Sequence, residues 1–278
     1  MNQRKHRRKS LRMGRFTVFM GLLAAGVYVA GSTVFSAAHH IAKTASDPVR
    51  VLAKATPPKH PVLPTPLPKS VLIKVPAKDQ YPQLPNGCEV TSLAMLMTWA
   101  HHPVSKLTLA REMPKDPTKL VLSSYTNESG QTVHRVISWG NPNVGFVGSV
   151  YQAGEGYGIY HGPMVRFLNR LLPGRAEDMT GSSFRAILAH VARGIPVEAW
   201  TTTTFKPTTD WVHWQSPQGE VVATPWEHAV LIVGYGPGYL LVNNPLNGEA
   251  AQKVPRAPFI QAWRQLGKQA ITLKSSPA

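Results

Sequence analysis

Three apolar stretches organise the chain, and each has a different pattern. Residues 16–38, FTVFMGLLAAGVYVAGSTVFSAA, contain no charge; as a helix they would reach about 35 Å, enough for a hydrocarbon core of about 30 Å. Residues 88–100, CEVTSLAMLMTWA, are almost continuously apolar, which predicts a helix buried on most sides. Residues 226–248 hold two apolar runs around a Gly-Pro-Gly turn, which predicts a β-hairpin.

These patterns divide the chain into four segments. We expect a basic cytoplasmic segment at 1–15, a transmembrane anchor or signal segment at 16–38, a Pro-rich extracellular linker at 39–70 and one globular domain at 71–278. Positive charge stays on the cytoplasmic side, so the domain is expected outside the cell membrane.

Two fates of the first apolar segment stay open. Its length favours an uncleaved, single-pass anchor. The small residues 36–38, SAA, offer a cleavage site, and its use would give a secreted protein.

Net charge is unevenly distributed along the chain. The formal charge is +16, but residues 1–78 hold nearly all of the excess and residues 79–278 are nearly balanced. Because the basic N-terminal segment is explained by membrane topology, we expect no nucleic-acid partner. The chain has 1 cysteine, so no intramolecular disulfide holds the fold together.

That cysteine, Cys88, follows the turn dipeptide Asn86-Gly87 and begins the predicted helix. Unpaired N–H groups and the positive end of the helix dipole at this place favour a thiolate over a thiol. The alternative is that Cys88 only packs as a small apolar residue. A nucleophile further requires a base and a group that orients the base.

The predicted hairpin brings both of these groups together. If Tyr235 pairs with Tyr239, the numbers of paired residues sum to about 474, and His228 lies within two residues of Asn244 across the strands. An imidazole beside an amide is the arrangement that a base and its orienting partner require. For the oxyanion we expect the Cys88 backbone N–H and a side-chain amide from Gln80 or Gln83.

Four blocks of sequence, in this order, resemble one family of bacterial exported proteins. They are QYPQLPNGCEVTSLAML, GFVGSVYQAGEGYGIYHGP, GIPVEAWTTTTF and EHAVLIVGYGPGYLLVNNPLNG. The family is the peptidase family C-thirty-nine-like group, papain-like relatives of the double-glycine leader peptidases of bacteriocins. The resemblance covers about residues 71–275.

The resemblance implies an α+β, papain-like cysteine peptidase fold, with an N-terminal central helix packed on an antiparallel β-sheet. It implies a thioester mechanism with Cys88 as nucleophile, His228 as base and Asn244 as orienting group. Many relatives have Asp where this chain has Asn244, and an amide supplies no negative charge to an imidazolium. Gln80, in its Gln-aromatic-Pro context, takes the oxyanion position.

Several alternatives remain beside a peptidase of peptide or protein substrates. One is a catalytically silent module that binds peptides or cell-wall material in the same cleft, and another is a peptidase of peptidoglycan cross-bridges. His161 either lines the cleft or has a local structural role, and Glu89 and Glu227 are expected to be structural. Because no His pair has the spaced partners of a metal site, we expect no metal and no cofactor.

Overall fold

The computed structural model describes residues 66–128 and 130–274. The predicted segments 1–15 and 16–38, and all but the end of the predicted linker 39–70, lie outside these residues. Within the described part of the chain, no helix is both long enough and apolar enough to span a membrane.

The described elements comprise five helices and thirteen strands, several of them very short. The helices are α1 (Cys88–Trp99), α2 (Lys106–Glu112), α3 (His161–Leu171), α4 (Phe184–Ala192) and α5 (Arg256–Gln265). The strands are β1 (Val71–Leu72), β2 (Lys115–Asp116), β3 (Val121–Thr126), β4 (Thr132–Ser138), β5 (Phe146–Val147), β6 (Ala176–Asp178), β7 (Val197–Thr202), β8 (Val212–Ser216), β9 (Gly219–Ala223), β10 (Glu227–Gly236), β11 (Tyr239–Asn244), β12 (Glu249–Pro255) and β13 (Ala270–Leu273).

One antiparallel sheet forms the centre of the fold. Its order is β12-β11-β10-β7-β13-β6, and β1 pairs with the far end of β10 beyond β7. Strand β10 is buried along its whole length, because it has hydrogen-bonded neighbours on both edges and helices on both faces. A separate sheet, β3-β4-β8-β9, lies outside this centre.

The helices cover the two faces of the central sheet. Helix α1 packs on one face, against a cluster that includes Ala229, Leu231 and Val233. Helices α4 and α5 cover the other face, where the alternate β10 residues Val230 and Ile232 point. The predicted α+β fold, with a buried N-terminal helix on an antiparallel sheet, is confirmed.

The hairpin of β10 and β11 forms, but its turn is tighter than predicted. Tyr239 pairs with Gly236 rather than Tyr235, so Pro237 and Gly238 alone connect the strands. A register shift between Ile232 and Gly234 then restores the predicted sum of 474 at the pair of Leu231 and Asn243. A bulge of this kind inserts one residue in one strand, and sequence alternation alone does not locate it.

Candidate functional site

The first turn of α1 docks against the beginning of β10. The Ser92 hydroxyl donates a hydrogen bond to the Ala229 carbonyl over 3.2 Å, and the Ala229 backbone also hydrogen-bonds Cys88. Cys88 therefore lies beside the strand residue that directly follows His228. Folding brings together two segments that are separated by more than a hundred residues in sequence.

The thiol of Cys88 faces carboxyl groups. Its Sγ donates to Oε2 of Glu89 over 3.3 Å, and Oε1 of Glu89 accepts the Ile159 backbone N–H over 2.8 Å. Burial, followed by the nearby Glu89 and Glu227, raises the pKa of the Cys88 thiol well above its ordinary value. The thiolate expected from the helix start is therefore not favoured here, because desolvation and two acids outweigh the helix dipole.

His228 and Asn244 form the direct contact predicted from the hairpin. His228 Nε2 and Asn244 Oδ1 are 2.9 Å apart. The Leu246 backbone N–H also donates to this oxygen, and Asn244 Nδ2 donates to Gln252 Oε1 over 2.8 Å. These two bonds fix the orientation of the amide. In a neutral ring Nε2 therefore carries the proton, and Nδ1 keeps the free lone pair of a base.

The imidazole and the sulfur have different neighbours. His228 pairs with Thr201 of β7, and its ring centroid lies 6.3 Å from that of Phe205, which belongs to the core under α4 and α5. Among the described residues, no hydrogen bond joins His228 to Cys88; their side-chain bonds go to Asn244 and Glu89. Burial lowers the pKa of His228 to about 4, although Asn244 acts in the opposite direction.

Gln80 lies in the loop before α1 and is buried. Its Nε2 donates to the Pro85 carbonyl over 2.7 Å, which leaves one further N–H on that nitrogen. Its Oε1 is buried without a partner. The Gln80 backbone N–H donates to the Pro245 carbonyl over 2.8 Å, and this bond ties the loop before Cys88 to the residue after Asn244.

Sequence reasoning missed a buried group of acids beneath Cys88. The sulfur of Cys88 and one carboxylate oxygen each of Glu89 and Glu227 all lie within 4.8 Å of one another. Glu198 of β7 is fully buried and interacts electrostatically with both acids. The one signal in the sequence was a carboxylate inside the apolar strand GIPVEAW, which such a strand rarely tolerates without a reason.

His161 lies apart from these groups. Its Nδ1 is 2.8 Å from Asp178 Oδ2, and it lines a cavity of about 280 Å³ together with Tyr160 and Trp211. Cys88 does not line this cavity. In the structure, His161 therefore makes a local contact with Asp178, away from Cys88.

Comparison with known proteins agrees with this fold. The Peptidase_C39 like family matches residues 72–271. The chain belongs to this family. It is 36% identical over 193 residues to the uncharacterized protein YvpB of Bacillus subtilis strain 168, across 69% of this chain and 71% of that protein.

A crystal structure from Bacillus anthracis, described as a C39-like peptidase, is also similar. The two chains are 37% identical with a TM-score of 0.65, and the match covers 76% of this chain and all of that one. The family predicted from the four sequence blocks is thus confirmed. Membership in the Peptidase_C39 like family supports a cysteine peptidase, with a peptide or protein substrate, as the class of the chain.

Proposed function

We propose that this chain hydrolyses peptide bonds with Cys88 as nucleophile, His228 as base and Asn244 as orienting residue. The observation that carries the proposal is the bond between His228 Nε2 and Asn244 Oδ1, 2.9 Å long, directly beside the Ala229 backbone that contacts Cys88. Because Nε2 is bonded to Asn244, Nδ1 of His228 is the ring atom left to accept a proton from Cys88.

The proposed reaction has two stages. The Cys88 thiol passes its proton to Nδ1 of His228, and the sulfur forms a bond to the substrate carbonyl carbon. The Cys88 backbone N–H and the second N–H of Gln80 Nε2 stabilise the oxyanion. The imidazolium then protonates the leaving amine as the C–N bond breaks. Water, deprotonated by His228, hydrolyses the thioester and restores the thiol.

This chemistry requires the sulfur to exchange its partner. The thiol now donates to Glu89, so it must release that carboxyl and reach the imidazole before attack. In this proposal, substrate binding triggers the exchange, because it places a carbonyl carbon beside the helix start, where the thiolate attacks it. Glu89 keeps the hydrogen bond that the Ile159 backbone N–H donates to it.

We further propose that the enzyme acts outside the cell, held to the membrane through residues 16–38. The apolar length of that segment, the basic residues before it and the Pro-rich spacer after it support this arrangement. Cell-wall peptides, including peptidoglycan cross-bridges, then stand beside proteins as accessible substrates.

Product mapping tests the reaction. A peptide library and purified cell wall are incubated with the full-length chain and with Cys88→Ala, and the products are identified by mass spectrometry. We expect new termini from the wild type and none from Cys88→Ala. Identical products from both proteins would remove Cys88 from the mechanism. Amines released only from cell wall would assign the cross-bridge substrate.

A second function is favoured by one specific observation, the deep burial of both groups. Cys88 is 7% exposed and His228 1% exposed, and neither is charged near neutral pH in this arrangement. A module that binds peptides or cell-wall material without cleaving them fits such a site. Peptide binding that survives Cys88→Ala, with no cleavage by the wild type, would establish this alternative.

A further inference from the structure

The buried acids beneath Cys88 have an excess of oxygen ligands and no positive partner. Both carboxylate oxygens of Glu198, and Oε1 of Glu227, are buried without a hydrogen-bond partner. None of the ion pairs among the described residues includes Glu89, Glu198 or Glu227. Unpaired buried carboxyl groups are costly when charged, and either a bound proton or a bound cation relieves that cost.

The same place carries a sulfur ligand. The Sγ of Cys88 and carboxylate oxygens of Glu89 and Glu227 lie within 4.8 Å of one another. Glu198 lies on the same face of the sheet but farther along it, because it pairs with Leu231, four residues beyond Glu227 on β10. One thiolate and two carboxylates around a single point form a set of three possible ligands, and water can supply a fourth.

The backbone of Gly158 closes the cluster. A Cβ at that position would lie 2.5 Å from Glu89 Oε1 and 3.0 Å from Glu227 Oε2, so no larger residue fits against the two carboxyls. The backbone of Gly158 therefore packs directly against both carboxyl groups.

We propose that a thiophilic divalent cation of the zinc class binds between Cys88, Glu89 and Glu227, with water as the fourth ligand. Zinc accepts thiolate and carboxylate ligands in tetrahedral geometry at about 2.0 to 2.3 Å. The ligand atoms around a bound zinc lie about 3.5 Å apart, so the side chains must move toward one another by up to about 1 Å when the cation binds. The thiol proton and any proton on the two carboxyl groups leave for solvent as the bonds to the metal form. The bound cation occupies the sulfur, which cannot then act as a nucleophile.

Cobalt(II) provides the test, because its bond to a thiolate absorbs light and this chain has 1 cysteine. The full-length, reduced chain is titrated with cobalt(II) at neutral pH. We expect a thiolate-to-cobalt band that saturates at one equivalent and disappears when zinc is added. Histidine sites elsewhere produce no such band. No band at saturating cobalt would overturn the proposal.

Variants identify the ligands. Cys88→Ser should abolish the band, and Glu89→Gln and Glu227→Gln should each weaken cobalt binding at least about tenfold, as expected for a lost ligand. The matched control Glu220→Gln changes an exposed carboxyl and should leave the affinity unchanged. A band with wild-type affinity in both Glu89→Gln and Glu227→Gln would show a merely accessible thiol and overturn the proposal.

X-ray absorption on the zinc-loaded wild type decides the matter even if these variants fail to fold. One sulfur with oxygen neighbours is the expected shell, and a shell without sulfur contradicts the site. None of these readouts depends on peptidase activity, so failure of the cation site and failure of the proposed hydrolysis are separate results.

Discussion

The ionisable side chains on the two faces of β10, at the beginning of the strand, differ in their hydrogen-bond partners. On the α1 side, Glu227 and the neighbouring Glu89 and Glu198 are buried acids, and several of their oxygens have no partner. On the other side, His228 has a bond to an amide that is itself held by two further bonds. The imidazole is therefore held in one orientation, while the sulfur donates a hydrogen bond to a carboxyl group.

This difference reverses the effect of pH on the two sides. Burial raises the pKa of Glu89 to about 7, so the folded chain holds a proton that the unfolded chain releases. Burial lowers the pKa of His228 to about 4. Between that pH and the ordinary pKa, the imidazole is unprotonated in the folded chain and protonated in the unfolded chain. The same desolvation thus destabilises the fold on one side at high pH and on the other side at low pH.

The buried acids on the α1 face should produce the largest effect on the free energy of unfolding. The pKa of Glu89 rises from 4.5 to about 7, so its contribution is complete below 4.5 and is lost as pH rises through 7. The expected loss is on the order of 3 kcal/mol. Urea unfolding of the wild type and Glu89→Gln between pH 4 and 8 measures it. Glu227 and Glu198 shift in the same direction, so they add to the trend.

We expect the difference in unfolding free energy between Glu89→Gln and the wild type to grow with pH in that range. The exposed Glu220→Gln serves as control and should follow the wild type. A pH-independent difference for Glu89→Gln would mean that Glu89 is ionised in the folded chain.

Through His228, the free energy of unfolding should depend on pH in the opposite direction. The pKa of His228 falls from 6.5 to about 4, so its contribution is present above 6.5 and is lost as pH falls through 4. The expected loss is again about 3 kcal/mol. His228→Gln lacks the titrating group, so its unfolding free energy should decline less than that of the wild type between pH 6.5 and 4. If the unfolding free energies of His228→Gln and the wild type change in parallel with pH, the imidazole is solvated in the folded chain.

The smallest expected effect concerns Asn244. Asn244→Ala removes the bond to His228 Nε2, and a lost buried hydrogen bond of about 1 to 2 kcal/mol corresponds to roughly a tenfold fall in kcat/KM. Asn244→Asp keeps the acceptor and adds charge, so it should restore activity; Gln252 can turn its amide to donate to it. Peptide hydrolysis rates measure both variants. Equal kcat/KM for Asn244→Ala and the wild type would leave the proposed orienting role without support.

Part of this comparison was visible in the sequence. The apolar run from Cys88 predicted a buried helix that begins at the cysteine, and alternation around Gly236, Pro237 and Gly238 predicted a hairpin that brings His228 near Asn244. Both patterns are local, because helix period and hairpin pairing depend on residues close in sequence. The family blocks added the overall fold.

The acid cluster was not visible, because it depends on sheet order. Glu89, Glu198 and Glu227 come from α1, β7 and β10. The packing of α1 on β10 brings Glu89 to Glu227, and the pairing of β7 with β10 places Glu198 on the same face, opposite Leu231. The raised pKa of the Cys88 thiol follows from this cluster. A helix-start argument could not foresee it, since the outweighing charges come from distant segments.

Acylation of the sulfur is the most direct test of the central proposal, that Cys88 and His228 act as one unit. The full-length wild type and His228→Gln are mixed with an activated peptide ester, quenched in acid and analysed by intact mass and peptide mapping. We expect an acyl adduct on Cys88 that forms at least about 100-fold more slowly in His228→Gln. Equal rates in the two proteins, or no adduct on Cys88 while the ester is consumed, would contradict it.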